Sequence, residues 1–284
     1  MTSLGFSKYQ GTGNDFVLFA DLDDARSLDP DEVNRLCDRR RGVGADGVIR
    51  VSGTDAEGAR FFMDYRNADG SPAEMCGNGI RCVGAFLRDR GIVDEPELSV
   101  LTRAGVRHLH VDRAPDGWSV TVGMGPANFT RAAIPMRGPA WETFLAQPFE
   151  LGGGVTLSAS AVSMGNPHLV LFLDEDPDRV HVAHIGPELE RHELFPERTN
   201  VEFAQVRDGE IKVRVWERGS GETMACGSGA CAVAVAANEA GLAGRSVDVR
   251  FPGGVLGVER TDHEVVLRGD AVHVFDGTID LART

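Results

Sequence analysis

Short runs of alternating apolar and polar residues dominate the chain and predict a protein rich in β-strands. The clearest runs are Arg60 to Tyr65, Ser119 to Val122, Ile211 to Trp216 and Val247 to Phe251. Every second side chain in such a run faces the core of a sheet, while its neighbours face water. Helical periodicity is rarer, so we expect few helices among many strands.

One helix is predicted to begin after Asp29, because Pro30 follows at the first helical position and Glu32 lies three residues after the cap. Its apolar stripe contains Val33, Leu36 and Cys37. Cys37 is therefore expected to be a small core residue rather than a reactive thiol.

The most informative feature is an internal repeat. Residues 61–82 read FFMDYRNADGSPAEMCGNGIRC, and residues 211–231 read IKVRVWERGSGETMACGSGAC. Both run from a strand through a polar turn to Cys-Gly-X-Gly and a helix. Asn67 precedes Cys76 by nine residues, as Glu217 precedes Cys226. The repeat predicts two pseudo-symmetric halves with a site between them, and Gly123 to Pro126 forms a plausible linker.

Each repeated cysteine lies just before a predicted helix. Unpaired amides and the helix dipole favour negative charge there, so a lowered thiol pKa and an accessible thiolate are expected. The residues that follow, Gly77, Asn78, Gly227 and Ser228, can present backbone N–H groups to an anion such as a carboxylate. The pattern therefore indicates thiol chemistry on an anionic substrate.

Other uses of these motifs are disfavoured. Cys82 and Cys231 fall within the predicted helices and are expected to be structural, and the spacings C-x5-C and C-x4-C do not suit zinc. No C-x-x-C of the thioredoxin type occurs. The G-x-G-x-x-G match from Gly42 to Gly47 follows a helix and precedes a strand, which is the reverse of the order in a dinucleotide site.

Charge and composition exclude further classes. The net charge is −14 with 43 acidic residues, which disfavours nucleic-acid binding. The longest apolar runs are too short to cross a membrane, and no secretory signal is visible at the N-terminus. Five cysteines, an odd number, argue against a disulfide framework. We therefore expect a cytoplasmic protein with free thiols.

The chain resembles diaminopimelate epimerases, which are amino-acid epimerases that need no cofactor. The resemblance covers nearly the whole length. Its motifs are GTGNDF at 11–16, GVGADG at 42–47, NADGS at 67–71, MCGNGIRC at 75–82, GNPH at 165–168, TNVEF at 199–203, WERGSGET at 216–223 and ACGSGACA at 225–232. Proline racemases also use two cysteines, but their glycine motifs usually differ from MCGNG and ACGSG.

The resemblance implies a role for each matched position. Cys76 and Cys226 would be the catalytic acid and base, and His168 and Glu217 would adjust their acidity. Substrate would be bound by Asn14, Asn67, Gly77, Asn78, Asn166, Asn200, Glu217, Arg218, Gly227 and Ser228. No metal and no cofactor are implied.

The implied fold is α/β (α+β) with two pseudo-symmetric lobes, each a curved, mostly antiparallel β-sheet wrapped around a central helix. Residues 1–127 with 272–284 would form the lobe carrying Cys76, and 128–271 the lobe carrying Cys226. The implied reaction interconverts LL- and meso-diaminopimelate in lysine and peptidoglycan precursor synthesis, by a thiolate and a thiol acting on opposite faces of one carbon.

The resemblance also implies a homodimer, and the chain departs from the family at two positions. Many members have glutamine where this chain has Gly47, and tyrosine at a dimer contact where it has Phe275. Three alternatives stay open: a related racemase of the proline type, a redox switch in which Cys76 and Cys226 form a reversible disulfide, and a protein that binds an amino acid without chemistry.

Overall fold

The computed structural model describes residues 3–151 and 154–281. Residues 1–2 and 282–284 of the expected N-terminal lobe, and 152–153 of the expected C-terminal lobe, lie outside the described residues. The chain divides into two compact units. The first contains the residues up to Val122 and those from Arg268 onward, and the second is Gly123–Leu267. The lobe bounds expected from the sequence stay a prediction.

The first unit is a sheet whose strand order closes on itself. Strands β1 to β7 are hydrogen-bonded in sequence order, β7 neighbours β16, and β16 pairs with β1. In chain order the elements are β1 (Ser3–Gly11), β2 (Asn14–Ala20), α1 (Pro30–Cys37), β3 (Gly47–Gly53), β4 (Phe61–Asn67), α2 (Gly77–Asp89), β5 (Glu97–Thr102), β6 (Gly105–Ala114), β7 (Gly117–Gly123) and, across the unit boundary, β16 (Val265–Asp280).

The second unit has the sheet order β8-β9-β10-β11-β12-β14-β15, with the short β13 pairing β12. Its elements are β8 (Gln147–Glu150), β9 (Thr156–Ser163), β10 (Pro167–Phe172), a 3-10 helix (Pro177–Arg179), α3 (Val182–Glu190), β11 (Asn200–Arg207), β12 (Glu210–Glu217), β13 (Gly221–Thr223), α4 (Gly227–Glu239), β14 (Ser246–Phe251) and β15 (Gly254–Arg260).

The two units repeat one pairing pattern. In the first, β1–β2 is antiparallel, β2–β3 parallel across α1, β3–β4 antiparallel and β4–β5 parallel across α2. In the second, β9–β10, β10–β11 across α3, β11–β12 and β12–β14 across α4 follow the same sequence of directions. The internal repeat predicted from the cysteine motifs is therefore a repeat of whole units.

A helix occupies the middle of each unit. Helix α2 contacts β1, β2, β3, β4 and β6, and α4 contacts β9, β10, β11, β12, β14 and β15. The alanine-rich α4 is buried from Ala230 to Ala237, because small side chains let the surrounding strands approach it closely. The predicted fold of two lobes, each wrapped around a central helix, is confirmed.

Helix α1 and the four predicted strands are present at the expected places. Asp29 caps α1 by accepting hydrogen bonds from the backbone N–H of Asp31 and Glu32. The predicted strands correspond to β4, β7, β12 and β14. No helix in the described part of the chain is long and apolar enough to cross a membrane.

Candidate active site

Cys76 is the N-cap residue of α2. Its backbone is extended, with φ −133° and ψ 118°, and the Gly79 N–H donates to its sulfur at 3.4 Å. Gly77 and Asn78, at the first two helical positions, are buried. Because a helix begins with backbone N–H groups that have no partner inside the helix, negative charge is favoured at this thiol.

The amide of Asn14 lies beside Cys76 in a fixed orientation. Asp46 accepts a hydrogen bond from Asn14 Nδ2 at 2.6 Å and a second one from Arg39 Nη2 at 2.8 Å. Asn14 Oδ1 is thereby turned toward Asn78 Nδ2, at 3.3 Å, and toward the sulfur of Cys76, at 3.8 Å. The structure thus brings Asn14, Cys76 and Asn78 together, through an aspartate that sequence reasoning did not assign.

Asn67 ends strand β4 and pairs across the ladder with Gly47. Its Nδ2 donates to Ser71 Oγ at 3.1 Å within the turn that follows. A Cβ atom at Gly47 would lie 2.5 Å from both the Arg66 carbonyl oxygen and the Tyr65 ring. The space beside Gly47 is therefore filled by Tyr65, and this backbone has no room for a glutamine side chain.

Cys226 is the N-cap residue of α4 and repeats the geometry of Cys76. Its φ and ψ are −126° and 120°, and the Gly229 N–H donates to its sulfur at 3.4 Å. Ser228 Oγ lies 3.5 Å from the same sulfur, and Cys226 also hydrogen bonds to Glu217. Unlike Cys76, Cys226 is buried. The second unit therefore repeats the helix start of the first, and its cysteine is more deeply buried.

The predicted lowering of the thiol pKa is wrong for Cys226. Burial raises its pKa well above the ordinary value, and the carboxylates of Glu217 and Glu202 raise it further. Hydrogen bonds from Ser228 and the Gly229 N–H act in the opposite direction. Burial, together with the Glu217 and Glu202 side chains, therefore outweighs the helix start, which favours a thiolate by about 1 kcal/mol at a partly exposed site.

Glu217 is held close to Cys226 by the turn that follows β12. Thr223 donates a hydrogen bond to Glu217 Oε1. Burial raises the pKa of Glu217, and Glu202 adds to this rise, whereas Thr223, Cys226 and His168 counter it. The group is therefore closer to neutrality than an ordinary glutamate. Its proximity also raises the pKa of the Cys226 thiol.

His168 is wholly buried and bridges two side chains. Its Nδ1 lies 2.6 Å from Glu202 Oε1, and its Nε2 lies 3.0 Å from Asn166 Oδ1. Asn166 Nδ2 donates to Ser228 Oγ at 3.4 Å. His168, Asn166 and Ser228 were predicted as site residues, whereas Glu202 was not. Glu202 lies in the TNVEF motif, and it stands as a carboxylate among the apolar residues at the start of β11.

Asn200 and Arg218 lie together at the rim of the second unit. Asn200 uses both ends of its amide inside the protein, since Nδ2 donates to the Pro167 carbonyl and Oδ1 accepts from the Arg218 N–H, each at 2.9 Å. The Arg218 side chain is exposed and donates to the Glu197 carbonyl at 3.2 Å. Asn200 therefore positions the Arg218 backbone, and Arg218 can contact a ligand.

The other cysteines are buried, as predicted. Cys37, Cys82 and Cys231 all lie inside the cores. Burial raises the pKa of Cys37 and of Cys82 to about 12. The thiols of Cys37 and Cys82 are therefore protonated and unreactive at neutral pH.

The chain is similar in sequence to a known family of proteins. The family model for diaminopimelate epimerase matches residues 6–130 and 160–274. A diaminopimelate epimerase from Desulforudis audaxviator is 46% identical, covering 96% of this chain and 98% of the relative. One from Thioalkalivibrio sulfidiphilus is 44% identical, covering 97% and 99%.

Solved structures share the fold at much lower identity. A hydroxyproline epimerase from Agrobacterium vitis has a TM-score of 0.71 at 15% identity, covering 98% of this chain and 92% of that one. A phenazine biosynthesis protein of the PhzF family from Bacillus anthracis has a TM-score of 0.69 at 16% identity, covering 98% and 99%. Several groups of proteins share this fold, and the sequence match over nearly the whole length decides between them. The chain belongs to the diaminopimelate epimerase family.

Proposed function

We propose that the protein interconverts LL- and meso-2,6-diaminopimelate without an added cofactor, in the synthesis of lysine and peptidoglycan precursors in the cytoplasm. The observation that carries the proposal is that each unit offers one cysteine as the N-cap of a glycine-rich helix start. An epimerase that inverts a carbon with two bases needs two such groups. Diaminopimelate epimerases from other organisms match nearly the full length of this chain.

In the proposed reaction one cysteine acts as base and the other as acid. The thiolate takes the α-proton, so that the C–H bond breaks, an S–H bond forms and the electron pair remains on the substrate. The thiol of the other cysteine then gives its proton to the opposite face and becomes a thiolate. Atoms and charge balance, and the two sulfurs have exchanged protonation states.

The roles follow from the surroundings of Cys226. Its raised pKa favours the thiol, so we assign Cys226 as the proton donor of the resting protein and Cys76 as the base. When Cys226 has delivered its proton, Ser228 and the Gly229 N–H are in place to stabilise the thiolate. Both groups lie within hydrogen-bonding distance of the sulfur before the proton leaves, so little reorganisation is needed.

Charge develops on the substrate carboxylate when the α-proton leaves. We assign its stabilisation to the backbone N–H groups of Gly77, Asn78, Gly227 and Ser228, which begin α2 and α4. Each helix N-terminus carries the equivalent of about half a positive charge. In a site that excludes water these charges act more strongly than in solution, which reduces the need for a cofactor to delocalise the carbanion.

The remaining predicted residues are assigned to substrate binding. Asn14 and Asn67 would bind from the first unit, and Asn166, Asn200, Glu217 and Arg218 from the second. Among the described residues the Arg218 guanidinium donates to one group, the Glu197 carbonyl, so we assign its other N–H groups to the distal carboxylate of the substrate. Asn200 would act through the Arg218 backbone that it holds.

We also propose that the protein is a homodimer. Val274 and Phe275 on β16 expose about half of their surface, 53% and 44%, and exposed neighbouring apolar side chains are typical of an interface. Phe275 also stacks edge-on against Phe6 at 6.0 Å, which holds the ring in place. Light scattering should find a dimer for the natural protein and a monomer for Phe275→Asp, and a natural monomer would refute this assignment.

The activity is tested by incubating reduced protein with LL-diaminopimelate and no added cofactor. Chiral chromatography should show meso-diaminopimelate accumulating until the two isomers reach equilibrium. L-proline serves as the comparison substrate and should stay unchanged. Absence of meso product, or racemisation of proline at a similar rate, would overturn the proposed function.

A further inference from the structure

Glu190, the last residue of α3, contacts the turn that carries Arg218. Its side chain is buried, with 4% of the residue exposed. Oε2 accepts a hydrogen bond from Trp216 Nε1 at 2.8 Å, and Oε1 accepts one from the Gly219 N–H at 3.2 Å. An indole N–H and a backbone N–H can only donate, so both carboxylate oxygens are acceptors here. The carboxylate thus joins the end of β12 to the residue that follows Arg218.

The turn after β12 consists of residues 217–220 and is closed by the Ser220 N–H, which donates to the Glu217 carbonyl at 3.1 Å. Gly219, the third residue of the turn, has a φ of 79°, as a type II turn requires. In a tight turn the peptide group between Arg218 and Gly219 has two stable orientations, type I and type II, and glycine permits the second. The bond to the carboxylate at the end of α3 holds this peptide group in one of them.

Two successive backbone N–H groups of the turn are held by side chains from other elements. The Arg218 N–H donates to Asn200 Oδ1 at 2.9 Å, and the Gly219 N–H donates to Glu190. Asn200 begins β11, and the carbonyl of Glu190 accepts from the N–H of the preceding residue, Thr199, at 3.1 Å. The two acceptors are therefore fixed to each other, and loss of the Glu190 carboxylate would leave the turn with one of its two supports.

The first unit shows that the fold does not need a carboxylate at this place. There the Gly70 N–H closes the equivalent turn by donating to the Asn67 carbonyl at 2.9 Å. The neighbouring helix is α1, and its Asn34 Nδ2 donates to the Asp69 carbonyl at 3.4 Å. Asp69 and Gly219 each lie seven residues before the cysteine of their unit. The helix therefore donates to this turn in the first unit and accepts from it in the second.

We propose that Glu190 is a positioning residue that fixes the turn after β12 and thereby orients Arg218 toward the substrate. The inference rests on the proposed function, which assigns Arg218 to the distal carboxylate. Glu217 belongs to the same turn but has its own restraints, since its carboxylate is hydrogen-bonded to Thr223 and to Cys226. Loss of Glu190 should therefore weaken substrate binding through Arg218 far more than it slows proton transfer.

The first step is tested by hydrogen exchange of the substrate-free protein, followed by 1H–15N NMR at Trp216 Nε1–H and the Gly219 N–H. Glutamine has only one acceptor atom in its side chain, so in Glu190→Gln at least one of the two N–H groups should exchange roughly tenfold faster. In Glu190→Met, which has no strong acceptor, both should. The turn at 67–70 is the internal control and should exchange as in the natural protein.

The second step is tested by steady-state kinetics with diaminopimelate. Glu190→Met should raise KM by roughly tenfold, the usual effect of one lost hydrogen bond, while kcat changes by less than about threefold. In an Arg218→Ala background the same substitution should raise KM hardly further, because two residues that act through one contact are not additive. A general loss of stability would instead act equally in both backgrounds. Where Glu190→Met does not fold, Glu190→Gln takes its place in this cycle.

Arg198→Gln is the matched control. Arg198 Nη1 lies 3.5 Å from Glu190 Oε1, and its side chain is 53% exposed, so its loss removes an ion pair and leaves the bonds to the turn. Its KM should equal that of the natural protein. The exchange measurement needs no epimerase activity, so the role of Glu190 and the proposed function can fail separately. Unchanged exchange of both N–H groups in folded Glu190→Gln, or an equal rise of KM with and without Arg218, would overturn the role of Glu190.

Discussion

The two cysteine sites share a backbone and differ in what lies beneath it. Cys76 and Cys226 cap their helices with nearly the same φ and ψ, and each accepts an N–H from the third residue onward at 3.4 Å. The side chain that packs under the helix start is Ile49 in the first unit and Glu202 in the second. The repeat of the fold sets where each sulfur lies, whereas at Cys226 burial and the neighbouring Glu217 and Glu202 raise the pKa of the thiol.

The first residue pairs of the equivalent strand ladders also differ between the two units. The first pair in the β2–β3 ladder is Phe16 with Gly47, and the first pair in the β10–β11 ladder is His168 with Asn200. In the first unit the Asn14 amide lies beside Cys76, and Ile49 lies close to the helix start at Gly79. In the second unit Glu217 hydrogen bonds to Cys226, and Glu202 lies close to the helix start at Gly229. Two copies of one fold thus place different side chains next to their helix starts.

The largest expected effect comes from removing either thiol. Cys76→Ser and Cys226→Ser keep a side-chain cap for α2 and α4, because serine is a good N-cap, but a hydroxyl is far less acidic than a thiol. Each variant should lose a factor of roughly 10²–10⁴ in kcat, the usual contribution of one general acid or base. Steady-state kinetics from both isomers measures the loss.

The controls for these variants lie in the same helices. Cys82→Ala and Cys231→Ala remove buried thiols that do not cap a helix. They should keep kcat within about threefold and lose about 1–2 kcal/mol of stability from the small cavity. Near-normal turnover by either serine variant would show that the two cysteines are not the acid and base.

A matched pair of glycine substitutions sharpens the comparison. In Gly79→Ala the new methyl group meets Ile49 Cδ1 and Met63 Cε, both at 3.0 Å, and these side-chain ends can rotate away. In Gly229→Ala it meets Glu202 Oε1 at 2.9 Å, and His168 restrains that oxygen. We expect Gly229→Ala to lower kcat by roughly tenfold, the effect of one weakened hydrogen bond to a charged group.

Gly79→Ala should change kcat much less, since its contacts are apolar. Thermal unfolding checks that both variants are folded, and alanine favours a helix by about 1 kcal/mol relative to glycine. Equal losses of kcat in the two variants would contradict the view that the carboxylate under α4 distinguishes the second unit from the first.

A smaller effect is expected on stability when Glu217 is neutralised. Burial raises the pKa of Glu217 in the folded protein. Its contribution to stability is therefore complete below the pKa of the unfolded chain and is lost as pH rises through the folded pKa. Glu217→Gln does not ionise, so its Tm at neutral pH should exceed that of the natural protein by roughly 1–3 °C, while its epimerisation slows.

The pH dependence provides the check. The Tm difference should shrink toward zero near pH 4, where Glu217 is protonated in both states. Glu175→Gln is the control, because Glu175 is 77% exposed and its ion pair with Arg179 contributes little. A Tm for Glu217→Gln below that of the natural protein at neutral pH would mean that the charged form of Glu217 stabilises the fold.

Local signals in the sequence predict the positions of many helices and strands. The cap at Asp29 locates α1, alternation locates strands such as β12, and the repeat locates both helix starts. Helix α3 had no comparable signal, since its N-cap side chain makes no hydrogen bond and Pro187 lies inside it. It forms because it packs against β11, β12 and β13, a long-range effect that no short window of sequence contains.

The chemistry of the site was predictable only in part. The cysteines and most of the predicted polar residues fall in motifs, so pattern alone identifies them. The acidity of Cys226 depends on Glu202, which is 24 residues away along the chain and reaches α4 only because β11 runs beneath the helix start. The role of Asp46 in orienting Asn14 can be recognised only when the pairing of β2 with β3 is known. Both residues act through tertiary contacts.

The central claim is that two different thiols serve as base and acid, and brief turnover of LL-diaminopimelate in heavy water tests it most directly. The base receives the hydrogen of the substrate, while the acid delivers a hydrogen that has exchanged with solvent. Early meso product should therefore carry deuterium at the inverted carbon, and recovered LL-substrate should stay nearly unlabelled when NMR measures both isomers. Unlabelled product, or equal labelling of both isomers, would contradict the account.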